Sequence, residues 1–152
     1  MTRKRLQLDR FAPYRLSVLS NRVSSAIARH YQERFKLSIP EWRVTAVLGE
    51  TPGLSAREVA ARTAMDKVQV SRAVTSLIAS GRVTRTPDNE DGRIAHLELT
   101  RAGRAVYEQI APLALQLEEQ FLTALTAAER KEFDRLLAKL SARTQTLSSS
   151  RS

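Results

Sequence analysis

One repeated device marks four helix starts in this chain. Ser38 is followed three residues on by Glu41, Ser55 by Glu58, Asp66 by Gln69 and Thr126 by Glu129. At that spacing the first side chain accepts from an orphan helix N–H, and the second reaches back to the cap's own N–H. Three of these starts are also stapled, with an apolar residue just before the cap and another five positions on: Leu37 with Trp42, Leu54 with Val59, Met65 with Val70. Starts this close together leave room only for short helices joined by tight turns.

Around them the pattern is mostly helical. Leu19, Val23, Ile27 and Tyr31 step by four, flanked by Leu16 and Ala26, and predict one long helix from about Phe11 to Phe35. Val44, Val47 and Leu48 give the next helix a buried face, and Thr51-Pro-Gly53 stops it. A third helix runs from Ser55 to about Thr63. A fourth runs from Asp66 to about Ser80, with Gly81 placed for a left-handed cap. The character then changes. Val83–Thr86 and Ile94–Leu99 are β-compatible, and Ala95, Leu97 and Leu99 alternate with polar residues, which leaves His96 and Glu98 on the outer face. Between the two runs Pro87–Gly92 is turn chemistry. After Thr100 another helix carries Val106, Ile110, Leu113, Leu117 and Phe121 on one stripe, with Pro112 expected to kink or divide it. A last helix after Thr126 is expected to bury Phe133, Leu136, Leu137 and Leu140.

The fold class expected is mainly α with a small β-hairpin wing. Its core is a winged helix-turn-helix head at about 37–99 with terminal helices at about 9–36 and 100–143. These form a single domain at 9–143, flanked by a flexible basic tail at 1–8 and a flexible Ser/Thr-rich tail at 144–152. The terminal helices offer more apolar surface than the head can cover, which points to a homodimer.

Charge narrows the partner. Twenty-five Lys and Arg against sixteen Asp and Glu leave +9, which favours a polyanion, nucleic acid or an acidic membrane. The fourth helix decides between them. Val70, Ala73, Val74, Leu77 and Ile78 form its buried side, while Lys67, Gln69, Ser71, Arg72, Thr75 and Ser76 form the other. That second face carries no acid after the Asp66 cap. A helix lying in the major groove needs donors for guanine, amides for adenine and hydroxyls for phosphate, with no carboxylate facing the backbone. Ser55, at the start of the preceding helix, joins this set. At the hairpin tip Arg93 follows Asp91-Gly92, so Asp91 can brace a cation suited to the narrow, negative minor groove. Double-stranded DNA is the expected partner.

The runs Met65–Arg72, Leu77–Arg85, Asp88–Arg93 and Leu97–Gly103 resemble the MarR family of bacterial transcriptional regulators. The wing motif and the Leu99-Thr100-x-x-Gly103 entry to the next helix are the most specific parts. The resemblance implies a homodimer built from the terminal helices, a pseudo-palindromic operator, and repression released by a small aromatic or anionic effector. One departure is visible. The family's tip often carries two adjacent arginines, and Gly92-Arg93 leaves one.

An effector cavity would draw on Arg22, His30 and Trp42, although a histidine beside an apolar stripe is more often a boundary residue and a stapled Trp more often core. His30 and His96, with no cysteine and no nearby carboxylate pair, make no metal site, and no cofactor is expected. No nucleophile elbow, phosphate-cradling glycine loop or His/Ser/Asp arrangement suggests an enzyme. Met1–Arg5 lacks the apolar segment of a secretory signal, and no apolar run is long enough to span a membrane, so the expected location is cytoplasmic, at the nucleoid when bound to DNA. A membrane-surface role for Arg3-Lys-Arg5 lacks the large apolar face it needs. The alternative function is a winged-helix protein-interaction module without specific DNA binding.

Overall fold

The computed structural model describes residues 4–149. Met1 to Arg3 of the basic tail and the last three residues of the C-terminal tail lie outside the described residues. After a 3-10 turn at Leu8–Arg10 come α1 (Ala12–Ala28), α2 (Gln32–Phe35), α3 (Ile39–Glu50), α4 (Ala56–Thr63) and α5 (Lys67–Ala79). The hairpin β1 (Val83–Pro87) and β2 (Ala95–Leu99) follows, then α6 (Arg101–Leu122) and α7 (Ala127–Ser149). The chain divides into two compact units, Met1–Ala114 and Leu115–Ser152.

The capping boxes are formed. Ser38 and Glu41, Ser55 and Glu58, and Thr126 and Glu129 exchange both bonds, while Asp66 accepts from the Gln69 N–H without a return bond. The staple residues Leu37, Leu54, Val59, Met65 and Val70 are all buried, and Trp42 is half-buried. The second helix of the expected series ends at Glu50, and Gly53 takes φ +84° in the turn beyond it.

The first helix differs from expectation. It breaks after Ala28 and resumes at Gln32, so the Phe11–Phe35 stripe is two helices rather than one. The break turns Tyr31 (1% exposed) and Phe35 into the core of the first unit, whereas Phe11, Tyr14, Leu16 and Leu19 upstream remain exposed. That core continues through Val44, Leu48, Val59, Val74, Leu77, Val83, Leu97, Val106 and Ile110. Burial lifts the Tyr31 hydroxyl pKa to about 12 against the opposing pull of Arg43.

At the end of α5, Gly81 has φ +75°. The Arg82 N–H reaches the Leu77 carbonyl at 2.9 Å and the Gly81 N–H that of Ile78 at 3.0 Å, a Schellman cap. The hairpin pairs Val83 with Leu99, Arg85 with Leu97 and Pro87 with Ala95. Leu54 adds a bridge on the far edge of β2, its carbonyl accepting from the Leu97 N–H at 2.8 Å. The wing is thereby tied to the segment that opens α4.

Pro112 does not divide α6, which runs unbroken through it. In the second unit, α7 continues to Ser149, so the tail expected from Thr144 is helical as far as it is described. The apolar residues of α7 are also less covered than expected: Leu136, Leu137 and Leu140 are exposed and Phe133 only half-buried. Within that unit Arg130 forms two hydrogen bonds with Glu119, fixing the turn between α6 and α7. Among the described residues no helix is long and apolar enough to cross a membrane.

Candidate nucleic-acid interface

Helices α4 and α5 are joined by Ala64, Met65 and Asp66. Ala64 holds a left-handed φ of 54°, Met65 is buried under the turn, and Asp66 caps α5. Burial of Val70, Ala73, Val74 and Leu77 fixes the roll of α5 about its axis. Lys67, Gln69, Ser71, Arg72, Thr75 and Ser76 are then all exposed. Two details were not legible beforehand. Val68 lies on this open side with 59% exposure, an apolar group that could meet a thymine methyl. Ser76 donates its hydroxyl to Glu41 Oε2 at 3.2 Å, so a carboxylate from α3 borders the face expected to be free of acids. Ser55 is engaged too, its oxygen accepting from the Glu58 N–H at 3.2 Å.

The wing tip is built on Asp88 and Asp91. Asp88 Oδ2 accepts from the N–H groups of Glu90 and Asp91, which closes the turn. Asp91 Oδ1 accepts from both the backbone N–H of Arg93, at 3.0 Å, and its Nε, at 3.2 Å. The Arg93 side chain is nonetheless 92% exposed. One carboxylate therefore restricts the arginine's direction while the guanidinium remains open to solvent.

His96 departs from the expected solvated position. It is half-buried, with Nδ1 2.9 Å from the Gly53 carbonyl and Nε2 2.9 Å from Asp88 Oδ1. The bond to Asp88, joined by that to Gly53, raises the histidine pKa above its usual 6.5. The same histidine bond, reinforced by the Asp91 N–H, lowers that of Asp88. Alternation along β2 placed His96 on the outer face, but that face meets the Gly53 turn, which no local pattern records.

Leu99-Thr100-x-x-Gly103 acquires a physical reason. Thr100 donates to the Gly81 carbonyl at 2.6 Å and accepts from the Gly103 N–H at 3.0 Å, capping α6 against the end of α5. A β-carbon on Gly103 would lie 2.0 Å from the Arg82 carbonyl oxygen, so only glycine fits this approach.

The residues considered for an effector do not line one recess. Arg22 lines a hollow of about 650 Å3 along α1 with Asp9, Tyr14 and Leu19, whereas neither His30 nor Trp42 does. His30 is exposed just beyond α1. Trp42 sits between Tyr31 and Tyr107, with ring centroids 5.7 and 6.2 Å away. The sequence stripe omitted Tyr107, although its ring covers Gly49, where a β-carbon would stand 2.6 Å from it.

Comparison with known proteins agrees with this geometry. A MarR family model matches residues 35–94, from the end of α2 to the wing tip. The HTH-type transcriptional repressor Rv2887 of Mycobacterium tuberculosis is 29% identical over 124 residues, covering 82% of this chain and 86% of its own. Among solved structures, a MarR/EmrR family regulator from Acinetobacter superposes with a TM-score of 0.84 at 27% identity, over 93% of this chain and 99% of that one. BpsR of Bordetella bronchiseptica, whose DNA binding is regulated by 6-hydroxynicotinic acid, superposes at 0.78 with 25% identity, over 90% and 97% of the two chains. These relatives are regulators, not enzymes. Helix order, wing and matched sequence together make the chain similar to the MarR family of winged-helix transcriptional regulators, with the family segment at residues 35–94.

Proposed function

We propose that this regulator acts as a homodimeric repressor on a pseudo-palindromic operator. Helix α5 enters the major groove, Arg93 enters the minor groove beside it, and a small aromatic anion releases the complex. The observation that carries this reading is the Asp91–Arg93 pair at the wing tip, where one carboxylate holds an exposed arginine by its backbone N–H and its guanidinium Nε. Holding it in place lowers the conformational entropy lost on insertion into the negative minor groove.

Lys67, Gln69, Ser71, Arg72 and Thr75 supply the donors and amide that base edges and phosphates require, with Val68 adding an apolar contact. Ser55 contributes its hydroxyl hydrogen, since its oxygen already serves as the α4 cap. Ser76 keeps a place only at the edge, where Glu41 holds it.

The dimer reading rests on apolar surface. Phe11, Tyr14, Leu16 and Leu19 in the first unit, and Leu136, Leu137 and Leu140 in the second, are more exposed than a monomer in water favours. A second copy covers them and sets the spacing of the two heads. The effector reading draws on BpsR and its aromatic acid. Arg22 and Tyr14 both line the α1 hollow and offer a cation and an aromatic ring for such a ligand, with His30 and Trp42 outside that hollow.

Sedimentation of the free protein and titration of duplexes from its own promoter region test the reading together. Expected are a dimer, retention of a duplex at low salt, and release by a small aromatic acid that also raises the melting temperature of the free dimer. A monomer, or failure to retain any such duplex, would overturn it and favour a protein-interaction module.

A further inference from the structure

Beside the reading face, a recess of about 270 Å3 lies between α4, α5 and β1. Arg57, Lys67 and Arg85 reach it from those three elements, with Ser71 at its rim and Val70 and Val74 among its walls. None of the three cations forms an ion pair among the described residues. The nearest acids in sequence are committed elsewhere: Glu58 turns back to the Ser55 N–H, and Asp66 accepts from the Gln69 N–H.

Placement makes the charge more telling. Arg57 is the second residue of α4 and Lys67 the first of α5, so both stand in the first turn, where the helix dipole disfavours a cation. Arg85 shares the strand face of Val83, and Val83 is buried against the head. Three like charges thus converge beside two helix N-termini, and the site as it stands is unneutralised. An anion bound there would receive charge-assisted bonds from the three side chains and favourable interaction with both helix ends.

We propose that this recess seats a single backbone phosphate of duplex DNA, clamped by Arg57, Lys67 and Arg85 together, and that it fixes the register of α5 in the major groove. The inference rests on the DNA-binding reading above and adds to it two residues, Arg57 and Arg85, that reading did not use. A phosphate seat carries no base information, so its role is positional. Because three cations share one phosphate, removing all three forfeits the counterion release of one phosphate rather than three.

The test measures the salt dependence of duplex binding for the full chain and for the triple variant Arg57→Ala/Lys67→Ala/Arg85→Ala, with the number of protomers bound determined alongside. All three side chains are exposed, and thermal melting checks that the variant is folded. Expected are a roughly tenfold or greater loss of affinity at low salt and a slope of log K against log salt shallower by about 0.9 per bound protomer. An unchanged slope overturns the clamp, and a slope shallower by about 2.7 per protomer assigns the cations to three separate phosphates and overturns the single seat. Inorganic phosphate at constant ionic strength is the control. If it raises the melting temperature of the parent but not of the variant while the slopes agree, the recess belongs to a free anion and the proposal fails. A parent chain that retains no duplex refutes the DNA-binding reading itself, a result distinct from the others.

Discussion

His96 joins Asp88, 2.9 Å from its Nε2, to the Gly53 carbonyl, 2.9 Å from its Nδ1, and so ties the wing to the turn before α4. Both partners are acceptors. Both ring nitrogens must therefore carry hydrogen when both bonds are made, which is the cationic form. Glu58 on α4 adds a further favourable negative charge.

The linkage has a definite sign. A histidine whose pKa is raised in the folded state contributes stability that is fully present below its ordinary value of 6.5 and is lost as pH rises through the folded value. Asp88, with its pKa lowered from 3.8, contributes stability above that value and loses it as pH falls through its folded value. We expect the melting temperature of the wild type to exceed that of His96→Gln at pH 6 by more than at pH 9. A gap that stays constant across that range would show that the imidazolium does not hold the wing.

Gly103 and Arg82 make a second prediction. Gly103→Ala forces a β-carbon to within 2.0 Å of a backbone oxygen, so α6 must shift away from the end of α5. The expected loss is about 1–3 kcal/mol, typical of overpacking, read from urea denaturation. A midpoint equal to the wild type would mean that α6 is not seated there. Gly49→Ala should lose less, because the obstacle is the Tyr107 ring rather than backbone.

These two contacts also mark what the sequence could and could not reveal. Capping and stapling are local, so the helix starts at Ser38, Ser55, Asp66 and Thr126 were legible, as were the Gly81 cap and the hairpin. Long-range meetings were not. The break at Arg29–Tyr31 interrupts an unbroken stripe because Tyr31 and Phe35 are drawn into the core, and the pull comes from residues far away in sequence. His96 meeting Gly53, and Glu41 meeting Ser76, are likewise invisible to periodicity. Arg85 could have been found, since strand parity puts it on the side of buried Val83.

Asp91→Ala should weaken DNA binding less than Arg93→Ala. The first releases the guanidinium but keeps its charge, while the second removes both. In hydroxyl-radical footprints Arg93→Ala should lose protection at the flanks and keep it at the centre of each half-site. A footprint identical to the wild type would remove the wing from the interface.

On the proposed reading, α5 reads base edges from two symmetry-related heads. Binding-site selection with the wild type and with Arg72→Ala measures this. The wild type should select an inverted repeat with half-site centres about 10–10.5 base pairs, one helical turn, or a multiple of it apart. Arg72→Ala should show relaxed preference at one position per half-site, at a cost of about 1–3 kcal/mol. Wild-type protein that enriches no sequence, or an Arg72→Ala variant that selects the same bases as strongly, would contradict it.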